Sequence, residues 1–183
     1  MSLEVALGAL AVAIVFPTIW LYNRLVAARN LAKQGYADID VQLKRRADLV
    51  PRLVEAVKGY AAYEKALLTT VTELRGAVLA DRTLAERFGH ERELGAGLRQ
   101  LVLLQESYPE LKADANFRQL SASLVEVEDH LQHARRFYNG AVQQYLTRLE
   151  SFPDIVLARL FGFRPMPFFE TDDKEAIRVS LSQ

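Results

Sequence analysis

Residues 117–145 read FRQLSASLVEVEDHLQHARRFYNGAVQQY. Phe117, Leu120, Leu124, Val127, Leu131, Ala134, Tyr138, Ala141 and Tyr145 recur at steps of three and four without a break. That spacing places them on one face of an α-helix. Asp114 or Asn116 can cap its start. Phe152-Pro153 ends it, because the residue before a proline disfavours helical angles. About 36 residues at 1.5 Å of rise give a helix of about 54 Å. A helix of that length with a single apolar stripe needs other helices to cover the stripe.

A second stripe lies upstream. Ile39, Leu43, Arg46, Val50, Leu53, Val57, Tyr60, Glu64, Leu67, Val71, Leu74 and Val78 alternate steps of four and three. They predict one helix of about 40 residues. Pro51 interrupts it, lacking an N–H for the carbonyl of Ala47, at a cost of about 3 kcal/mol inside a helix. Either the helix kinks there, or Asp48 caps a new one. The stripe keeps its register, which favours the kink. Arg46 and Glu64 are the charged members of the stripe, about 27 Å apart along a straight helix. They cannot meet each other, so each snorkels to solvent or pairs with another helix.

Thr83-Leu84-Ala85-Glu86 has capping-box spacing and predicts a third helix through Leu94, Leu98 and Leu101, ending near Tyr108-Pro109. Gly95 and Gly97 weaken its middle by about 1 kcal/mol each or admit a close neighbour. Ile155 to Phe161 is a short apolar stretch closed by Gly162. Beyond Pro165 the chain is mixed and expected to be loose, with Glu170, Asp172 and Asp173 as an acidic group.

The N-terminus differs from all of this. Val5 to Tyr22 is an 18-residue run without a charge. A helix of that length and polarity can span a bilayer. A secretory signal would begin with basic residues and close in a polar cleavage region. Only Met1, Ser2, Leu3 and Glu4 precede the run, and its Ala9-Leu10-Ala11 is followed by further uncharged residues. The reading is an uncleaved anchor, with a cleaved signal or a buried soluble helix as alternatives. Trp20 and Tyr22 suit either the membrane interface or a core. Arg24, Arg29 and Lys33 follow the run and no Lys or Arg precedes it. That asymmetry predicts the N-terminus outside and the body in the cytoplasm. The expected organisation is an anchor at 1–23, a helical body at 24–165 and a tail at 166–183. The fold class is all-α, an N-terminal transmembrane helix followed by an elongated antiparallel bundle of long helices.

Composition limits the function. Lys plus Arg and Asp plus Glu both number 23, so no global field draws in nucleic acid. Cysteine is absent, which excludes disulfides, thiol catalysis and thiolate metal sites. No glycine-rich phosphate loop occurs, and no small-molecule substrate suggests itself. Glu126, His130 and His133 share a helix face, but the Glu-x-x-His pattern of di-iron bundles is missing. They read as a solvated flank, not a metal site, and no cofactor is expected. No motif assembles a nucleophile, a base and an orienting group, so the chain is read as a non-enzyme. From Arg24 to Lys58 eight basic residues face four acidic ones, a net +4 that either meets anionic lipid or is an ordinary solvated flank.

Several motifs carry a resemblance. They are Tyr22-Asn23 through Asn30, Ile39 to Arg46, Asp48 to Pro51 and Leu53 to Tyr60. Downstream they are Glu106 to Ala113, Asn116-Phe117, Ala134 to Asn139, Phe152-Pro153 and Phe161 to Phe163. Together they resemble the LemA family of bacterial membrane proteins, from Tyr22 to about Glu170. The resemblance implies an N-terminal membrane helix, a long-helix body and a cytoplasmic location for it. It implies no reaction and carries over no catalytic residue. Tyr36 stands where tryptophan is common in the family, Ala47 where an aromatic is, and Leu146 where asparagine often follows the tyrosine.

The expected role is therefore a bacterial inner-membrane, single-pass protein that binds other proteins or itself. A membrane-surface or membrane-organising role is the alternative. Candidate interaction or interhelical residues are Arg45, Arg46, Lys58, Glu64, Arg135, Arg136 and Asn139, polar groups inside the motifs.

Overall fold

The computed structural model describes residues 3–61, 63–80 and 84–169. Among these residues the structure is helical and contains no strand. In chain order the helices are α1 (Leu3–Lys58), α2 (Lys65–Ala80), α3 (Leu84–Leu103), α4 (Pro109–Ala113), α5 (Ala115–Glu150) and α6 (Asp154–Leu160). A 3-10 turn at Leu104–Glu106 follows α3.

The stripe from Ile39 to Val78 is not one helix, which corrects the sequence reading. α1 ends at Lys58, and the amides of Tyr60 and Ala61 turn back onto the carbonyl of Val57 at 3.0 and 2.8 Å. Gly59 is a poor helix former at that point. The chain reverses and α2 resumes the stripe, because both helices face the same core. The third helix also stops earlier than expected, at Leu103, and Pro109 opens α4 where its missing N–H costs nothing. Thr83 lies outside the described residues.

Pro51 does not interrupt α1. The Ala47 carbonyl it leaves without a helical donor receives a hydrogen bond from Arg75 Nε of α2, at 2.8 Å. A side chain from the neighbouring helix thus supplies the donor that the proline lacks.

The chain divides into two compact units. One combines Met1–Ala37 with Arg135–Phe168. In it α1 and the end of α5 run antiparallel, since Tyr36 meets the Tyr138 ring and Arg24 meets Asp154, just beyond α5. Leu25, Leu157 and Ala158 form its buried cluster, with Leu21, Leu149 and Phe163 packed around it. The hydroxyls of Tyr138 and Tyr145 donate to the carbonyls of Pro167 (2.7 Å) and Arg164 (3.0 Å). That segment, expected to be loose beyond Pro165, is held on α5.

The other unit combines, among the described residues, those of 38–134 with Phe169. Val50, Leu53 and Val57 of α1, Val71 of α2, Leu94 and Leu98 of α3, Leu111 of α4 and Phe117 of α5 build its core. α2 and α3 pack as a hairpin whose closeness depends on Gly97: a Cβ there would lie 2.9 Å from Val71 Cγ2. Phe169 is buried against Phe88, with ring centroids 4.0 Å apart. Asp114 is the helix cap, its Oδ1 accepting the Phe117 N–H at 2.7 Å. The expected body, 24–165, contains parts of both units. Glu170, Asp172 and Asp173 lie outside the described residues.

The N-terminal part of α1 buries almost nothing. Leu7, Leu10, Val12, Ile14, Val15, Phe16, Ile19 and Trp20 are all exposed. α1 is long and apolar enough there to cross a membrane.

Candidate interaction site

The charged members of the stripe have different fates. Arg46 is fully buried among α1, α3 and α5. Its Nη2 donates to the backbone carbonyl of Glu91 at 2.6 Å and also pairs with the Glu91 carboxylate. Its Nη1 donates to Glu128 Oε1 at 2.7 Å. A buried guanidinium needs such partners, because a lone charge in an apolar interior is far costlier than a paired one. Gly95 makes room for it: a Cβ there would stand 3.1 Å from Arg46 Nη1. Glu91 and Glu128 were not singled out in the sequence. They lie 45 and 82 residues away, and only the packed register brings them in.

Glu64 belongs to the turn between α1 and α2. Its Oε1 accepts the Tyr108 hydroxyl at 3.2 Å, and its carbonyl starts the hydrogen bonding of α2. Beside it the Tyr60 hydroxyl donates to Asp114 Oδ2 at 2.9 Å, so one carboxylate both caps α5 and fastens the turn. These bonds move the groups' acidities. The Asp114 carboxyl lies below its ordinary range, chiefly because of the Phe117 amide and then the Tyr60 hydroxyl. Tyr60 is raised by the same bond seen from the other side. Tyr108 is raised by burial first and by Glu64 second. Both tyrosines stay neutral donors at physiological pH.

The turn fastened in this way presents Tyr63, which is 95% exposed. Lys58 is exposed at the end of α1. Near the start of α5 an open groove of about 780 Å³ is lined by Pro51, Arg52, Glu55, Ala56 and Asn116.

The remaining candidates are placed elsewhere. Arg45 is exposed on α1. Arg135, Arg136 and Asn139 lie on α5 in the other unit, and each is engaged within the protein. That unit contains the ion pair between Arg24 and the fully buried Asp154, which sequence reasoning missed. An open cleft of about 440 Å³ beside it is lined by Arg24, Gln143, Thr147 and Arg148, among others. His130 Nε2 stands 3.8 Å from Glu126 Oε1 on the exposed flank of α5. Among the described residues no group of three or more potential ligands converges on a metal position.

The motifs that converge on the turn, Leu53 to Tyr60 and Glu106 to Ala113, lie inside residues 35–181, which match the model of the LemA family. The chain belongs to the LemA family. Similar proteins include magnetosome protein MamQ 2 of Paramagnetospirillum magneticum strain AMB-1, 24% identical over 175 residues, covering 81% of this chain. Magnetosome protein MamQ of Magnetospirillum gryphiswaldense is 22% identical over 174 residues, again covering 81%. The chain spans 64% of the length of each of these two relatives. Protein LemA of Metamycoplasma hominis is 22% identical over 164 residues, covering 88% of this chain and 74% of that protein. As a LemA-family chain, the molecule is a membrane-associated helical protein whose family match takes in both the Arg46 cluster and the Tyr63 turn.

Proposed function

We propose that this LemA-family chain is a membrane-anchored docking module, non-enzymatic, that presents the α1–α2 turn to protein partners or to a second copy of itself. The observation that carries the reading is Tyr63, almost wholly exposed on a turn whose neighbours are fixed by the Tyr60–Asp114 and Tyr108–Glu64 pairs. Exposed aromatics backed by a fixed frame lose little entropy on binding and dominate interface energetics. Lys58 adds a charge for partner selection.

The anchor is Val5 to Tyr22, in a bacterial inner membrane, with the N-terminus outside and the body in the cytoplasm. The exposed apolar side chains of α1 support a lipid environment, and Arg24, Arg29 and Lys33 support that orientation. Protease treatment of inverted vesicles should digest the body; protection would reverse the orientation. The alternative is direct headgroup binding by the basic stretch from Arg24 to Lys58, in which Lys33, Lys44, Arg45, Arg52 and Lys58 are exposed while Arg46 is buried in ion pairs and Arg24 pairs with Asp154.

The test of the docking role is a photocrosslinking residue at position 63 of the full-length protein in cells. Reproducible crosslinked species, hetero or self, support it; none beyond those of an exposed α2 position such as Glu73 overturn it.

A further inference from the structure

α6 is apolar on two sides. Its inner side, with Leu157 and Ala158, is buried against Leu21 and Leu25 of α1. The fully buried Asp154 at its start pairs with Arg24 of α1. Its outer side carries Val156 and Leu160, four residues apart and hence on one face. Leu160 is 73% exposed, and Phe152, just before the helix, is 84% exposed. Phe161, just after it, is exposed as well. Arg159 is exposed on the same side. Four large apolar side chains bared within ten residues do not make a solvated surface.

Their place on α1 indicates what covers them. The Phe161 ring packs edge-on against Tyr22, centroids 4.9 Å apart, and Phe163 does so at 5.8 Å. Tyr22 closes the uncharged run. The Arg24 guanidinium stands 5.0 Å over Trp20. The bared side of α6 is therefore continuous with the bared side of α1, at the level where the apolar surface of α1 stops. Trp, Tyr and Arg at that level match the headgroup boundary of a bilayer. An arginine among apolar side chains lays its stem along lipid and keeps its head in water. A helix of seven residues has too few hydrogen bonds to hold itself, so its depth is set by what it is pinned to.

We propose that α6 is a second membrane contact, an in-plane interfacial element. Phe152, Val156, Leu160 and Phe161 enter the headgroup–acyl boundary of the phospholipid bilayer that α1 crosses. The occupant of this face is lipid. Asp154 and Arg24 are positioning residues that fix α6 beside the end of the span. The proposal rests on the reading of α1 as an anchor.

The absence of cysteine permits a clean test. Full-length protein carrying Val156→Cys, Leu160→Cys or Gly140→Cys is labelled with an environment-sensitive fluorophore. It is placed in phosphatidylcholine–phosphatidylglycerol nanodiscs, with and without lipid bearing a nitroxide near the headgroup. Gly140 is the reference, exposed on α5 with nothing within 4 Å of an added Cβ. Emission at 156 and 160 should shift to the blue and be quenched by the nitroxide lipid; emission at 140 should do neither. Unquenched emission at 156 and 160 overturns the proposal, as does label-to-label contact between copies in place of quenching. Protein that fails to enter the nanodiscs overturns the anchor reading and this proposal with it. Protein that enters with position 160 in water overturns the proposal alone. As a check on positioning, Asp154→Asn should reduce quenching at 160 while leaving incorporation unchanged; full quenching in that variant removes Asp154 from the account.

Discussion

Arg46 satisfies two carboxylates and a backbone carbonyl from inside the core. Truncating it removes a buried cation from beside the Glu91 carboxylate and weakens the hold on Glu128. Arg46→Ala should therefore cost about 3–5 kcal/mol in denaturant unfolding of the body, the usual penalty for breaking a buried pair. A loss within the range of a surface pair would contradict the role assigned to it. Tyr138 gives a second residue-level expectation. Burial, with Tyr36 nearby, pushes its hydroxyl up to about 12. A raised value means that the neutral form is favoured in the folded state. Its contribution is complete below the ordinary tyrosine value and is lost as pH rises through about 12. Phenolate absorbance of the native protein should show a late-titrating tyrosine that Tyr138→Phe removes. At this scale the sequence marked Arg46 as an anomaly in an apolar stripe. It did not identify the acceptors, because ion pairs between distant helices depend on a register that spacing along one helix does not carry.

Among the elements, Pro51 shows how a local rule is broken and repaired. The Ala47 carbonyl loses its helical donor to the proline and gains Arg75 Nε. Arg75→Met should leave that buried carbonyl unsatisfied and cost about 1–3 kcal/mol. In a Pro51→Ala background the alanine N–H restores the helical bond, so the same Arg75→Met change should cost much less. Equal costs in both backgrounds would show that Arg75 acts by packing alone. The stripe across Pro51 was readable because the helix does continue there. The stripe across Gly59 misled, because a hydrophobic period records which face is buried and not which way the chain runs. α2 returns to the core already covered by α1, so the period survives the reversal. α5 was legible throughout, its stripe positions from Phe117 to Tyr145 being buried or nearly so, since one uninterrupted helix with a capped start has no competing reading. α6 was visible as an apolar stretch. Its two-sided character was not, because exposure is a property of the assembled unit.

For the whole molecule, the all-α class, the apolar N-terminal helix and the family were all open to a reading of the sequence, and the family match over residues 35–181 agrees. The proposed docking surface was only half open to such a reading. Lys58 and Glu64 were chosen as polar groups in motifs. Tyr63 was not chosen, since a lone tyrosine between helices gives no signal until the turn that presents it is built. The central claim is that this turn is where the anchored body meets its partners. The most direct measurement is photocrosslinking from position 63 in the full-length protein in living cells, with mass spectrometry of the products purified from membranes. Crosslinked species from position 63, hetero or self, should be reproducible. They should be lost when Glu64→Ala and Asp114→Ala release the frame of the turn. Products no different from those at Glu73, or insensitive to the loss of the frame, would contradict the central claim.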